Sequence, residues 1–384
     1  MEKIRAGVVG MGYIGASHID ALRRISFTDC VAVADADYAL AKRKADAQHI
    51  PKCYKTVDDM IADPKIDVIH NCTPNNAHRE INEKVIKAGK HIFSEKPLAM
   101  NSAESQSMLD LLKQHPNVVH GINHCYRMNP LVQEIKRRYQ KGEIGRALLV
   151  HGSFLQDWLL FETDYNWRIE PEVSGPSRCI SDIGTHWMDT VQHVLDSKIT
   201  EVCADLVTVY PVRKKPVGST ETFSANASAE YEEKIVKTED YGAILFKMDN
   251  GTSGVFYVSE VSAGYGCNLN FELDGTKCSA AWNQEQGDRM WVGRRDGDNN
   301  QVTRNPATLD KEVLHYTHLA KGHPEGWNDA EVATVYAYYD FIRQGKKPGT
   351  EKTNFATFED GHYLIKLVEA ILESNKKRQW VSLL

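Results

Sequence analysis

At 384 residues the chain is long enough for two domains, each with a core of its own. Hydrophobic residues make up 42% and charged residues 26%, ordinary values for a globular protein, and the formal net charge is −6. That balance leaves no basic footprint for a phosphate backbone, so nucleic acid is excluded as a partner.

Two short basic runs, at 136–138 and 213–215, read as solvated surface. The eight cysteines form no C-x-x-C pair and no regular spacing, which points to reduced thiols in a reducing compartment. The sequence begins without a signal-peptide apolar segment and holds no run of about 18 apolar residues. The expectation is a soluble cytoplasmic protein with no membrane partner.

Apolar runs and helical spacing alternate from the start. Strands are expected at 4–10, 30–34, 67–72, 91–94 and 118–122, with helices at 13–25, 38–48, 76–88 and 102–113 between them. Such alternation makes a doubly wound parallel sheet with right-handed crossovers, so residues 1–124 are read as a Rossmann domain. After a helix at 130–141 the character changes. Strands at 147–154, 200–209, 241–248, 254–262 and 268–273 are separated by turn signals such as Asp249-Asn250-Gly251 and Asp274-Gly275-Thr276. Residues 125–384 are therefore read as an α+β domain with a large open, mostly antiparallel sheet. Helices near 181–195, 327–344 and 357–375 are expected to cover one face of it or pack beside it. The polar stretch 285–325 reads as a long excursion near the site or a subunit contact.

The glycine motif Gly10-Met11-Gly12-Tyr13-Ile14-Gly15 follows the first strand and opens the first helix. Gly10 permits a tight turn, Gly12 lets the backbone approach a pyrophosphate, and Gly15 allows close helix–strand packing. Asp35 stands 20 residues past Gly15 at the end of the second strand, where it would bond ribose hydroxyls and repel a 2′-phosphate. NAD is therefore expected rather than NADP. Lys42 and Arg43 read as exposed helix charges.

Glu95-Lys96-Pro97 closes the strand at 91–94, so Lys96 falls at the strand end that faces a ligand crevice. A lysine there can stabilise a developing alkoxide; a surface loop lysine fits the same position. In Ser181-Asp182-Ile183-Gly184-Thr185-His186 the acid and the imidazole are four apart, on one helix face. They suit proton transfer from a hydroxyl, although a capping acid and a packed imidazole would look alike. The pairs His120/His124 and His315/His318 lack further ligands and read as structural, with no metal expected.

In this order the motifs resemble the glucose–fructose oxidoreductase, inositol dehydrogenase and rhizopine-catabolism (Gfo/Idh/MocA) family over nearly the full length. The matching elements are the glycine motif, Cys72-Thr73-Pro74-Asn75 with His78, Ser94-Glu95-Lys96-Pro97-Leu98-Ala99, the stretch 123–130 with Arg127, and Asp182-Ile183-Gly184-Thr185-His186. The resemblance implies NAD(P)-linked oxidation or reduction of a sugar-like hydroxyl, with Lys96, Asp182 and His186 as the catalytic set. It also implies that Thr73, Pro74, Asn75, His78 and Glu95 line the cofactor, with Tyr13 and Ile14 in the glycine motif and Trp167-Arg168 at the nicotinamide end. The open sheet of the family implies a homodimer or homotetramer.

Trp158, Gln156, Trp167 and the run Gly322-His323-Pro324-Glu325-Gly326-Trp327 are richer in aromatic and amide groups than a generic member needs. They resemble the levoglucosan dehydrogenase and glucoside 3-dehydrogenase branch. Pyranose rings offer apolar CH faces to Trp and hydroxyl rims to Gln, Asp and His, which puts Tyr126, Arg127, Gln156 and Trp158 on the substrate side. Core anchoring explains each tryptophan as well. Two alternatives remain: an inositol or polyol dehydrogenase, and a non-catalytic sugar- or nucleotide-sensing regulator of the same fold. An intact Lys96, Asp182 and His186 set favours catalysis.

Overall fold

In the computed structural model, which describes residues 3–217 and 230–383, the first strands are short and apolar on both faces. They are β1 (Ile4–Val9), β2 (Thr28–Ala34), β3 (Lys52–Tyr54), β4 (Val68–Asn71), β5 (His91–Ser94) and β6 (His120–Ile122). All pair in parallel, in the spatial order β3-β2-β1-β4-β5-β6. This is the doubly wound order in which the chain reverses direction of travel between β1 and β4.

Five helices connect these strands: α1 (Tyr13–Arg24), α2 (Tyr38–Ala47), α3 (Val57–Ala62), α4 (Asn75–Lys87) and α5 (Ser102–Gln114). Both sheet faces are covered, as a parallel sheet requires. Ile19 and Leu22 of α1 and Ala41 and Ala45 of α2 pack with Ala6, Val8 and Val68 on one face. Met60, Val85, Ile86 and Met108 pack with Ile69 and Ile92 on the other.

Two compact units emerge, one of residues 1–128 with 328–365, the other of 129–327 with 366–384. The second unit begins with α6 (Pro130–Gln140) and β7 (Ala147–Leu155), followed by the single turn α7 (Pro171–Ser174) and by α8 (Thr185–Leu195). Then come β8 (Ile199–Val207), β9 (Val212–Pro216), β10 (Tyr231–Ile235), β11 (Tyr241–Met248), β12 (Ser253–Ser259), β13 (Asn268–Gly275), β14 (Ser279–Asn283), β15 (Arg289–Gly293) and β16 (Asn300–Thr303). The chain ends with α9 (Trp327–Arg343), α10 (Phe358–Lys377) and β17 (Val381–Ser382).

Nine strands form one sheet in the order β16-β15-β14-β13-β7-β12-β11-β8-β17, while β9 and β10 pair as a separate ribbon. Every neighbouring pair of the large sheet is antiparallel except β7 with β12. The helix α8 lies on its inner face, where Trp187 is fully buried, stacks on Phe256 with ring centroids 4.5 Å apart, and donates its indole N–H to Asn270 O at 2.8 Å.

Three readings of the sequence change. The helix at 327–344, expected with the second sheet, packs on the first: Val332, Val335, Tyr338 and Phe341 of α9 share a core with Ala6, Val8 and Phe93. The stretch 285–325 is not wholly irregular, because β15 and β16 extend the large sheet. The basic runs are not solvated throughout. Lys136 is buried 3.0 Å from His193 Nε2, and Arg213 is fully buried against Asp240 at 2.8 Å. A charge run cannot show that one member has a buried counter-ion from a distant strand. Replacing Trp187 by Ala should cost about 3–5 kcal/mol, read as a lowered urea midpoint of the second unit's unfolding transition.

Candidate functional site at the ends of the parallel strands

Gly10 follows β1 with φ +91°, and a Cβ there would lie 2.5 Å from Cys72 O. A Cβ on Gly15 would lie 2.0 Å from Gly10 O, so the helix starts as close to the strand as glycine permits. Gly12 differs. A Cβ there meets nothing within 4 Å, which leaves room for a phosphate group against the bare backbone.

The helix ends carry a second signal. In the first unit α2, α3 and α5 are capped by the side chains of Asp37, Thr56 and Asn101. No side chain caps α1 or α4, and neither has an acid in its first turn. These two helices leave β1 and β4, the strands that flank the reversal point, so their N-terminal ends suit an anion. Asp35 closes β2 there and accepts the Met11 N–H at 2.6 Å and the Asp37 N–H at 2.9 Å. The residues present thus fit a dinucleotide: backbone amides for the pyrophosphate and a carboxylate for ribose hydroxyls.

The turn after β4 is fixed by a polar ladder. Thr73 Oγ1 donates to Asn71 Oδ1 at 2.7 Å, and Asn71 Nδ2 donates to Asn82 Oδ1 at 2.8 Å. Pro74 is the N-cap of α4, and Asn75, its first residue, is buried. His78 is buried with ring nitrogens 2.7 Å from Pro97 O and 2.8 Å from Thr73 O, tying this turn to the one after β5. At that second turn the Lys96–Pro97 peptide bond is cis.

Glu95 is buried, and its Oε1 lies 3.0 Å from His18 Nε2 and accepts Asn123 Nδ2 at 2.6 Å. Burial alone would raise this carboxyl; the His18 hydrogen bond and charge, with the Lys96 charge, overcome it and bring it to about 2. Tyr126 and Arg127 are buried in the same unit, with Arg127 Nη1 3.4 Å from Asn354 O and Nη2 3.7 Å from Asp360 Oδ2. Gly10, Gly12, Asp35, Thr73 and Lys96 all follow strands of one parallel sheet, so they gather along one edge.

In the second unit Asp182 lies in a π-helical turn, Ile180–Gly184, that leads into α8. Asp182 Oδ1 is 3.2 Å from Arg168 Nε, and the Arg168 guanidinium covers the Trp167 ring at 4.5 Å. His186 follows in the first turn of α8, buried beside Phe154 with ring centroids 6.4 Å apart. Gln156 directly follows β7 and is held through its backbone by Ser259 and Ser262. Trp158 packs against a small cluster of Leu159, Tyr165, Ile169 and Val236.

Beneath the Asp182 turn lies a buried ionic group that the sequence reading missed. Arg178 Nη1 is 2.7 Å from Glu260 Oε2, its Nη2 bonds Asp240 Oδ1, and Arg213 Nη2 reaches the same Asp240 oxygen at 2.8 Å. Glu239 Oε1 accepts Ser177 Oγ at 2.6 Å and the N–H groups of Arg178 and Ile180 at 3.0 Å. Three carboxyl groups thus face two guanidinium groups, which leaves one proton to be held. Burial, the largest effect, pushes Glu260 up to about 8, and Asp182, Glu239 and Asp240 add to it against Arg178. Residues scattered over 80 positions of sequence carry no spacing that would betray this group.

The other histidines stand apart. His120 Nδ1 accepts the Phe358 N–H at 3.2 Å. Of the aromatic- and amide-rich run, Glu325 is buried, bonds the N–H groups of His318 and Leu319, and pairs with Arg304 at 2.9 Å. It fastens its own loop. Among the described residues His151, Glu272 and Asp274 bring three possible metal-ligand atoms within 4.8 Å, on the exposed face of β7 and β13.

Comparison with known proteins agrees with this geometry. The oxidoreductase family model with the NAD-binding Rossmann fold (GFO/IDH/MocA) matches residues 4–122, and the GFO/IDH/MocA C-terminal domain model matches residues 132–281. The chain belongs to this family: it is an NAD-dependent oxidoreductase whose first unit contains the dinucleotide-binding sheet. Levoglucosan dehydrogenase of Pseudarthrobacter phenanthrenivorans is 28% identical over 99% of this chain and 98% of its own length. Myo-inositol 2-dehydrogenase of Thermotoga maritima is 25% identical over 74% of this chain and 80% of its own. A levoglucosan dehydrogenase structure in complex with NADH and L-sorbose superposes with a TM-score of 0.89, at 26% identity, over 100% of both chains.

Two outcomes test the site. Gly12→Ala should leave the thermal midpoint unchanged yet weaken NAD binding at least about 10-fold by titration calorimetry, whereas Gly15→Ala should destabilise the fold itself. The second concerns pH. Glu260 holds its proton in the folded chain to about 8 against an ordinary 4.5, so its contribution is complete below 4.5 and fades as pH rises through 8. The melting temperature should therefore fall between about pH 5 and 8 and level off above, and Glu260→Gln, which keeps a neutral side chain, should flatten that fall.

Proposed function

We propose that this chain oxidises a secondary hydroxyl of a sugar or sugar derivative, a glycoside or anhydrosugar, with NAD as the acceptor, and runs the reverse reaction when the ratio of products demands it. The observation that carries the reading is the alignment, on one edge of one parallel sheet, of two uncapped helix N-termini, Asp35 and Lys96. The Asp182–Arg168 pair and His186 of the second unit supply proton-transfer chemistry. The full-length similarity to a levoglucosan dehydrogenase favours a sugar over a free inositol, whose dehydrogenase matches a smaller share of the chain.

The assigned roles follow from the chemistry of each group. The α1 amides hold the pyrophosphate and Asp35 the adenosine ribose, with Tyr13, Ile14, Thr73, Pro74 and Asn75 along the rest of the dinucleotide. His78 and Glu95 support the turns that carry these contacts. NAD, when bound, takes up the two electrons and the hydrogen that leave the carbinol carbon. Lys96 donates a hydrogen bond to the reacting oxygen and stabilises its negative charge. His186 takes the hydroxyl proton on a ring nitrogen. Asp182, its carboxylate fixed by Arg168, holds His186 or a neighbouring sugar hydroxyl in place. Trp158, Gln156, Tyr126 and Arg127 bind the ring, and Trp167 with Arg168 borders the nicotinamide end.

The second unit also offers a surface for a second copy. Leu149, Val207, Leu245, Val255 and Tyr257 are exposed on the face of the large sheet away from α8. An apolar patch of this kind marks a contact, and a homodimer or homotetramer through this face is the assembly we assign. Among the described residues no helix is long and apolar enough to cross a membrane. A cytoplasmic location is the reading taken from the unpaired cysteine pattern.

Lys96→Ala should lower NADH formation, followed at its absorbance band with levoglucosan and other glycosides, by about 10²–10⁴-fold while NAD affinity stays within about 2-fold. Activity near that of the parent would remove Lys96 from the mechanism. Val255→Glu should convert the assembly to a smaller species by light scattering; an unchanged mass would move the interface elsewhere.

A further inference from the structure

His18, on the buried face of α1, has no part in the chemistry assigned above, yet titratable groups press on it from several sides. It is wholly buried. Its Nε2 lies 3.0 Å from Glu95 Oε1 and 3.4 Å from Glu331 Oε1. Asn123 Nδ2 sits 3.2 Å from the same nitrogen, but donates its two hydrogens to Glu95 Oε1 at 2.6 Å and Glu331 Oε1 at 3.0 Å. Nε2 of His18 is thus left to donate to a carboxylate. On the other side its Nδ1 meets His70 Nδ1 at 2.8 Å, a gap with room for one proton, and His70 Nε2 lies 2.8 Å from Tyr339 Oη.

We propose that His18 is a positioning residue for Lys96: as an imidazolium clamped between Glu95, Glu331 and His70, it keeps Glu95 an anion, and Glu95 in turn accepts the Lys96 backbone N–H at 3.2 Å and so fixes the turn that presents Lys96.

The charge count decides between the two ways of filling this chain with protons. A neutral His18 leaves the two buried carboxyls with no full positive charge between them, so an ionised Glu95 or Glu331 would stand there at high cost. An imidazolium with ionised Glu95 and protonated Glu331 sums to zero. The surrounding groups agree. Burial works against the His18 cation, but Cys72, Glu95 and Glu331 hold it well above its ordinary value. Burial raises Cys72, and the neighbouring His18 charge and hydrogen bond oppose that rise. Burial raises Glu331, and burial with the neighbouring His18 charge drives His70 well down, leaving it the neutral acceptor. The polar groups that face His18 come from β4 with His70, the residue after that strand, Cys72, the turn after β5 with Glu95, the segment after β6 with Asn123, and α9 with Glu331, while Phe93 of β5 packs on its ring.

The kinetic consequence rests on the role given to Lys96 above, but the charge state does not, and the two are tested apart. In the full chain labelled with ring-¹⁵N histidine and carboxyl-¹³C glutamate, both His18 nitrogens should still show imidazolium shifts at pH 7, and Glu95 should be ionised there. In His18→Gln, which can still donate to Glu95, the Glu95 carbon should titrate at a clearly higher pH than in the parent. Glu95→Gln should return His18 to a neutral ring, which guards against a His18 variant that fails to fold. A neutral His18 in the parent at pH 7, or an unshifted Glu95 in His18→Gln, overturns the proposal. With a sugar that is turned over, His18→Gln should lose about 10²-fold at pH 6 and recover to within about 5-fold at pH 9, at unchanged NAD affinity. A loss equal at every pH would mean that His18 only packs, and would also overturn it. If no sugar is turned over by the parent chain, the functional reading fails while the nuclear shifts still decide the charge state.

Discussion

Between β1 and β4 the backbone approaches itself so closely that side chains have no room, and the binding edge of the first unit follows from that contact. Gly10 lies against the Cys72 carbonyl and Gly15 against Gly10. With α1 drawn in this far, its first amides project past the strand end, and α4 does the same on the other side of the reversal point. A side-chain cap on either helix would satisfy those amides internally. Their omission, beside three capped neighbours, leaves two partial positive charges at one spot. The same close approach sets His18, one turn further along α1, directly over His70 and the end of β5. The phosphate site and the charge cluster behind Lys96 are therefore two products of one packing constraint.

The second unit solves a different problem. A π-helical turn has poorer hydrogen bonding than an α-helix, and Asp182 sits in one. Its start is held by Glu239, which accepts two backbone N–H groups, and by Arg178, which joins it to Asp240 and Glu260. Burying so many charges adds little net stability, but it makes any other arrangement of the turn costly. Precision at Asp182 is what this network contributes. The short ribbon of β9 and β10 takes part, since its Arg213 completes the cluster from outside the large sheet.

Much of this was legible in the residues. The parallel strands, their order of appearance and the helices between them show in alternating apolar runs, because strands buried on both faces and amphipathic helices leave different periods. The glycine motif with Asp35 announces the dinucleotide edge through local backbone needs. What escaped depends on partners distant in sequence. Lys136 and Arg213 look like solvent-facing charges until His193 and Asp240 are seen beside them. The strands at 289–293 and 300–303 are short and polar on their open side, so period-2 alternation is faint. His18 reads as one more member of a helical stripe, and only the fold brings Glu95, Asn123 and Glu331 to it.

The placement of α9 has a bearing on how the chain is made. Its Val332, Val335, Tyr338 and Tyr339 complete one wall of the core laid down by the first strands, and Tyr339 bonds His70. About two hundred residues of the other unit must leave the ribosome between these two halves of one core. The large sheet has a similar delay, because β7 pairs in parallel with β12 a hundred residues later. Each unit therefore completes its core only with a segment made long after the first part of that core. An amino-terminal fragment ending before α9 exposes the apolar surface that α9 covers in the whole chain.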